Sequence, residues 1–264
     1  FEDRSRSGII ASLEPVVNKI KAQALLGKPV LGICNGAQIL VESGMIPGNE
    51  GFNTVLALAD NKRAVGEKIV GTGYYNTWCY MKPNLIAKSA FVKKSGGVLR
   101  VPIAHAEGRF VVDKNMRGLV EEKNLITYQY CDKNGEVSKN FPTNPNSSFN
   151  SAAAISNVSG NVMAMMPHPE RSVSGEADDI FKSMKEYIQS DSPLSYQALH
   201  HTTKKIEVKN LEQTNNAEIT LSTISAGNEA ISVERCIKKL GFDVKISKYV
   251  HYEISAKNNF DLSE

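Results

Sequence analysis

The chain has 264 residues, 41% hydrophobic and 22% charged, and its 31 basic against 28 acidic residues leave a net charge of +3. That length can bury a substantial core, as one large α/β domain or as a domain plus a small module. Basic residues occur in scattered pairs such as Lys93-Lys94, Lys204-Lys205 and Lys238-Lys239, a spread that excludes a nucleic-acid footprint. No apolar run approaches the roughly 20 residues of a membrane helix. The four cysteines, Cys34, Cys79, Cys131 and Cys236, lie far apart with no C-x-x-C pair. This argues against a zinc ribbon or a disulfide framework, and for a reduced, cytoplasmic setting. The N-x-S/T matches at Asn146 and Asn157 are then chance matches. Phe1 stands first and no signal-peptide pattern follows, so the chain reads as the remainder of something longer.

In chain order, Ile9, Ile10, Leu13, Val16, Val17, Ile20, Ala24 and Leu25 predict a helix over 9–26 that Gly27 stops. Val30 to Ile33 predicts a short buried strand, and a helix after Cys34 ends near Glu42. Strands are then expected at Val55 to Leu58, Thr72 to Tyr80, Val98 to Ile103, Arg109 to Val112, Thr127 to Tyr130, Ala152 to Ser156 and Val162 to Met166. Asp132-Lys-Asn-Gly135 predicts a turn between two strands. Asp178 to Ile188 has the spacing of an amphipathic helix. Residues 191–205 read as a polar linker. A small α+β module over 206–264 follows: a strand at Ala217 to Thr223, a helix from Glu229 to Leu240 and a strand from Val244 to Ile254. Asn228 and Gly241 are suited to cap its helix.

Two segments carry chemistry. In Leu31-Gly-Ile-Cys-Asn-Gly-Ala-Gln-Ile-Leu40 an apolar strand turns into a helix at a cysteine flanked by Gly32 and Gly36. Glycines there permit close backbone approach and strained dihedrals. The thiol projects at a helix N-terminus, where the macrodipole favours a thiolate. In Met165-Met-Pro-His-Pro-Glu-Arg171 the prolines hold the chain extended. Residues i and i+2 then share a side, so Glu170 can hold Nδ1 of His168 and leave Nε2 to take a proton. With Cys34 these would form a Cys–His–Glu triad. Alone, such a cysteine is more often a core thiol and P-H-P-E a surface turn; their joint presence favours catalysis.

These segments resemble the two hallmark stretches of the class I (triad) glutamine amidotransferases. Within that group the likeness is to the glutaminase subunits of phosphoribosylformylglycinamidine synthase, of purine biosynthesis. It covers about residues 1–190, with support from Phe1-Glu-Asp-Arg-Ser-Arg-Ser-Gly8, Pro102-Ile-Ala-His-Ala-Glu-Gly-Arg-Phe110, Tyr128-Gln-Tyr-Cys-Asp132 and Asn144-Pro-Asn-Ser147. The resemblance implies an α/β, flavodoxin-like three-layer domain. Cys34 would form a thioester with glutamine, His168 would be base and then acid, and Glu170 would orient it. The Asn35 N–H would be an oxyanion donor beside Gly36, Gln38 a glutamine-pocket residue, and His105 and Glu107 would line the same region. A metal on His105 and Glu107 lacks a third ligand at sensible spacing.

In the family a glycine-glycine segment with the second oxyanion donor, and the first strands of the sheet, precede the position of Phe1. The resemblance therefore implies an N-terminally truncated domain with an incomplete core. The partners implied are a large synthetase subunit, where ATP and Mg2+ are expected, and a small bridging subunit, with L-glutamine as substrate. No cofactor is expected in this subunit, and no nucleic acid or membrane. The 206–264 module faintly resembles that bridging subunit; the alternative is an extension packing on a neighbour. For function, the alternatives are a stand-alone cysteine hydrolase or peptidase, or a non-catalytic scaffold.

Overall fold

The computed structural model describes residues 8–93, 96–172, 175, 177–190, 194–200, 217–222, 230, 234, 237–238, 243–247 and 249–254. The chain divides into two compact units, Phe1–Thr202 and Thr203–Glu264. The first seven residues, residues 191–193 and 201–205 of the expected linker, Asn228, Cys236, Gly241 and most of the expected 229–240 helix lie outside the described residues.

The predicted first helix is two, α1 (Ile9–Ser12) and α2 (Pro15–Leu25). Pro15 pushes Glu14 to an extended ψ of 141°, which interrupts the ladder. Only Val17 and Ala24 of α2 are buried, while Leu13, Val16, Leu25 and Leu26 stay exposed. Then come β1 (Val30–Ile33), α3 (Asn35–Glu42), β2 (Leu56–Ala59), β3 (Lys62–Val65), β4 (Lys68–Thr72), β5 (Tyr75–Pro83), β6 (Leu99–His105) and β7 (Arg109–Val112). They are followed by α4 (Lys114–Glu122), β8 (Ile126–Cys131), β9 (Ala152–Ser156), β10 (Val162–Met165) and α5 (Asp178–Gln189). The hairpin of β3 and β4, with Gly66 at φ 60°, was not predicted, nor was α4. Asp113 caps α4 by accepting from the Asn115 N–H at 2.9 Å. The Asp132–Gly135 turn forms through Gly135 N–H to Asp132 O at 3.0 Å. No strand follows it before β9 among the described residues.

Six strands form one sheet in the order β1-β10-β9-β8-β5-β6. Only β1 and β10 are parallel, in register from Val30↔Val162 to Ile33↔Met165. The sheet curls until its far edge, β6, reaches the segment after β10, where His168 N–H donates to Pro102 O at 2.8 Å. Every residue of β9 and β10 is buried, because apolar layers cover both faces. One layer packs α3 and α4 (Leu40, Val41, Met116, Val120) on Ala164 and Ile155. The other fills the curl with Cys79, Val101, Ile103, Tyr130, Met163 and Met165, and Ile180 of α5 packs there. The architecture is the expected α/β three-layer domain. In the second unit, β11 (Ala217–Ser222) and β12 (Tyr249–Ile254) pair antiparallel from Ala217↔Ile254 to Ser222↔Tyr249. Residues 244–247, predicted as strand, carry none.

Gly32 is needed for packing: a Cβ there would lie 2.5 Å from Gly36 O and 2.6 Å from Leu40 Cδ1. At Gly36 a Cβ would meet nothing within 4 Å, so the expectation of close packing there is corrected. We expect Gly32→Ala to cost about 1–3 kcal/mol, as overpacking does. Gly36→Ala should leave stability unchanged or raise it by up to about 1 kcal/mol, through helix propensity. Denaturant melts of both variants check this; equal losses would contradict it.

Candidate active site

The elbow forms as its residues suggest. Cys34 sits between β1 and α3 at φ 51° and ψ −105°, strained for a residue with a Cβ. Two backbone bonds hold it there: its N–H donates to Met165 O at 2.8 Å, and its C=O accepts from Gln38 N–H at 3.1 Å. The thiol lies 3.9 Å from Ala104 O on β6. Because β1 and β10 run parallel, the residues after Cys34 and after Met165 leave the sheet at the same end, where α/β sheets carry their sites.

His168 follows three residues after Met165, 4% exposed, with Nδ1 2.5 Å from Glu170 Oε1. The segment is not extended as predicted. Pro169–Arg171 forms a 3-10 turn, closed by Arg171 N–H onto His168 O at 3.2 Å. The fixed φ of Pro169 starts that turn, and the turn brings Glu170 back under the imidazole. His168 Nε2 is buried and makes no hydrogen bond. Arg171, given no role by the sequence, places Nε 3.5 Å from Glu170 Oε1.

The thiol differs from expectation in charge. Burial pushes its pKa up, and this outweighs the pulls of the Asn35 N–H and Arg171 that favour thiolate; Glu170 adds to the rise. The position at a helix start is therefore not enough to ionise it. Of the groups that favour thiolate, the Asn35 N–H pulls most strongly.

Gln38 is buried, and both polar atoms of its carboxamide are hydrogen-bonded. Its Oε1 accepts from Asn35 Nδ2 at 2.9 Å and its Nε2 donates to Glu107 O at 3.0 Å. It thus ties the elbow to the 105–108 loop. Two further carboxamides hold that loop. Asn61 Nδ2 donates to His105 O at 2.7 Å and to Gly73 O at 3.1 Å, and its Oδ1 accepts from Gly108 N–H at 3.0 Å. Asn146 Nδ2 donates to Gly108 O at 2.7 Å. A Cβ on Gly108 would lie 2.2 Å from the His105 ring, so the loop can pass only as glycine. Sequence reasoning missed Asn61, and gave Asn146 no role in the site beyond its place in the supporting segment Asn144-Pro-Asn-Ser147 and a chance sequon. Asn146 and Asn157 are fully buried, which agrees with that dismissal.

His105 is 4% exposed, and burial together with the neighbouring His168 lowers its pKa to about 3. Tyr130, on the inner face of the curl, is pushed up by burial, then by Cys79 and Cys34; Asn146 approaches its hydroxyl without closing a hydrogen bond. Among the described residues no group of three or more His, Cys, Asp or Glu could hold a metal ion, and no helix is long and apolar enough to cross a membrane.

Residues 8–200 match the model of the CobB/CobQ-like glutamine amidotransferase domain. The chain belongs to the glutamine amidotransferases. It is 41% identical over 207 residues to phosphoribosylformylglycinamidine synthase subunit PurQ of Methanothrix thermoacetophila, covering 72% of this chain and 78% of that protein. With the PurQ of Saccharolobus solfataricus it shares 39% over 189 residues, 68% of this chain and 73% of that protein. A chain in the structure of PurLQS from Thermotoga maritima superposes with a TM-score of 0.50 at 27% identity, covering 70% of this chain and 73% of that chain. These amidotransferases of the PurQ type thus give a family setting to a site built on a cysteine elbow.

The neutral buried His105 makes the fold acid-sensitive. Between pH 6.5 and about 3 the unfolded imidazole takes up a proton that the folded one refuses. Stability from this group is present above 6.5 and is lost as pH falls through that window. Urea unfolding across a pH series should show His105→Leu losing less stability on acidification than the parent chain; parallel curves would contradict it.

Proposed function

We propose that this chain is the glutaminase component of a phosphoribosylformylglycinamidine synthase, hydrolysing L-glutamine and delivering ammonia to an ATP-dependent synthetase. The observation that carries the reading is Cys34 in a strained strand-to-helix elbow at the same sheet end as the His168–Glu170 pair, in a chain of PurQ type. Cys34 Sγ attacks the carboxamide carbon while His168 Nε2 takes the thiol proton. The oxyanion forms against the Asn35 N–H at the start of α3, the backbone donor that favours negative charge on the sulfur. His168 returns the proton to the leaving nitrogen, so ammonia departs and a γ-glutamyl thioester remains. Water, activated by the same imidazole, then releases glutamate and the thiol. Glu170 keeps Nδ1 protonated and the ring in place throughout.

The partners that fit are a large synthetase subunit that binds ATP with Mg2+ and a small bridging subunit; the structural relative is the PurLQS assembly. The work of this chain needs no cofactor of its own, and a cytoplasmic location suits it. Ammonia that must not leak implies that the chain is slow alone and accelerates when docked on the synthetase.

Glutamine-dependent ammonia release, with and without the synthetase, tests the reading. Cys34→Ala should lower it by about a thousandfold or more with little change in stability. Cleavage of esters or peptides without cleavage of glutamine would replace the reading with a stand-alone hydrolase. Absence of Cys34 labelling by a glutamine-mimicking chloroketone would leave only a scaffold.

A further inference from the structure

Two buried imidazoles, His168 and His105, lie close enough to feel each other's charge, and the mechanism above uses one. The other, His105, follows Ala104, whose carbonyl lies 3.9 Å from the thiol. Strand alternation puts its ring on the inner face of the curl with Val101, Ile103 and Tyr130. Its Nδ1 is 3.2 Å from Asn61 Oδ1, and its Nε2 is buried with no hydrogen bond.

The surroundings of Asn61 decide the tautomer of His105. Asn61 Nδ2 must be the amide nitrogen, since it faces two carbonyls, His105 O at 2.7 Å and Gly73 O at 3.1 Å. Its Oδ1 is therefore the oxygen, already accepting from Gly108 N–H at 3.0 Å. Facing an oxygen without a proton, Nδ1 of His105 must carry the hydrogen, which leaves Nε2 a bare lone pair. A buried lone pair is costly until a donor arrives. Of the two species that the proposed reaction brings to the thiol, glutamine offers N–H donors on its side-chain amide. Glutamate, of the same shape, offers only lone pairs and a negative charge.

We propose that His105 Nε2 accepts a hydrogen bond from the side-chain NH2 of glutamine and is the group that separates substrate from product, with Asn61 as the residue that positions it. This rests on glutamine being the substrate. The arrangement also favours turnover, because the carboxylate formed after hydrolysis meets an acceptor instead of a donor. It explains an asparagine rather than an aspartate at 61: a carboxylate on Nδ1 would favour imidazolium, making Nε2 a donor and inviting the product to stay. The ionisable group set against the ring is His168, whose Nδ1 Glu170 holds, and Glu107 stands two residues along in the same loop.

The test compares two substrates that differ at this atom, L-glutamine and the γ-methyl ester of glutamate, which has no N–H. Labelling of Cys34 by the glutamine-mimicking chloroketone, also without that N–H, reports whether the site is intact. In the full chain with its synthetase, His105→Leu should lower kcat/KM for glutamine about 10- to 100-fold. Ester turnover and labelling should stay at the parent level, and glutamate should inhibit the variant at lower concentration. Equal losses on amide and ester with labelling intact, or no loss on either, overturn the proposal. If His105→Leu loses labelling as well, Asn61→Asp decides. It keeps the ring and an acceptor for Nδ1, so glutamine turnover must acquire a new limb that rises with pH while ester turnover does not. An unchanged amide profile overturns the inference. A parent chain labelled at Cys34 that hydrolyses the ester but releases no ammonia from glutamine overturns the function proposed above, and this inference with it.

Discussion

A sheet that curls back on itself must close its seam somewhere, and here the seam is where the chemistry is placed. The first strand, β1, and the last in sheet order, β6, are opposite edges, yet both contribute to the surroundings of one thiol. Two backbone bonds of 2.8 Å set this geometry, Cys34 N–H onto Met165 O and His168 N–H onto Pro102 O. The first ties the elbow to β10, and the second ties the continuation of β10 to β6. With them in place, Cys34, His168 and His105 have nowhere else to be. Their spacing in the chain, more than a hundred residues from elbow to imidazole, is irrelevant to their spacing in the fold.

What hangs from that seam is held by neutral groups. Gln38, Asn61 and Asn146 each contribute a carboxamide to the 105–108 loop, engaging Glu107 O, His105 O, Gly108 N–H and Gly108 O. A carboxamide supplies a donor and an acceptor in one plane without a net charge. Charged side chains in these places would shift the ionisation of both imidazoles and of the thiol, since low local dielectric amplifies any unpaired charge. The loop is therefore tied down by groups that carry no net charge, which suits a site whose function depends on where one proton sits.

The elbow at Cys34 and the His168–Glu170 pair were legible in the sequence because each requires unusual local chemistry: a glycine that a Cβ would drive into Gly36, and prolines that shape the chain around a histidine. Even so, the local geometry after His168 is a 3-10 turn rather than the extended run that alternation suggests; both deliver the carboxylate to Nδ1, by different routes. Asn61 left no trace, since its partners lie 44 and 47 residues further along and only tertiary structure brings them near. Helix α4 escaped because Gly118 breaks its propensity and only Met116 and Val120 are buried. The β3–β4 hairpin escaped because its strands have no buried face to impose alternation.

The ionisation of Cys34 joins these threads. A helix N-terminus and a nearby guanidinium would by themselves favour a standing thiolate, but burial outweighs them and the resting thiol keeps its proton. A protonated thiol is a weak nucleophile towards adventitious electrophiles and oxidants. In the mechanism proposed above its proton goes to the buried Nε2 of His168, which makes no hydrogen bond of its own. Nucleophilicity then arises with the approach of an electrophilic carbon against the Asn35 N–H, when the charge passed to sulfur is taken up at once by the developing oxyanion. An enzyme that should release ammonia only on demand gains from keeping its nucleophile silent in this way, and the feature that silences it is the same curled, apolar interior that holds the site together.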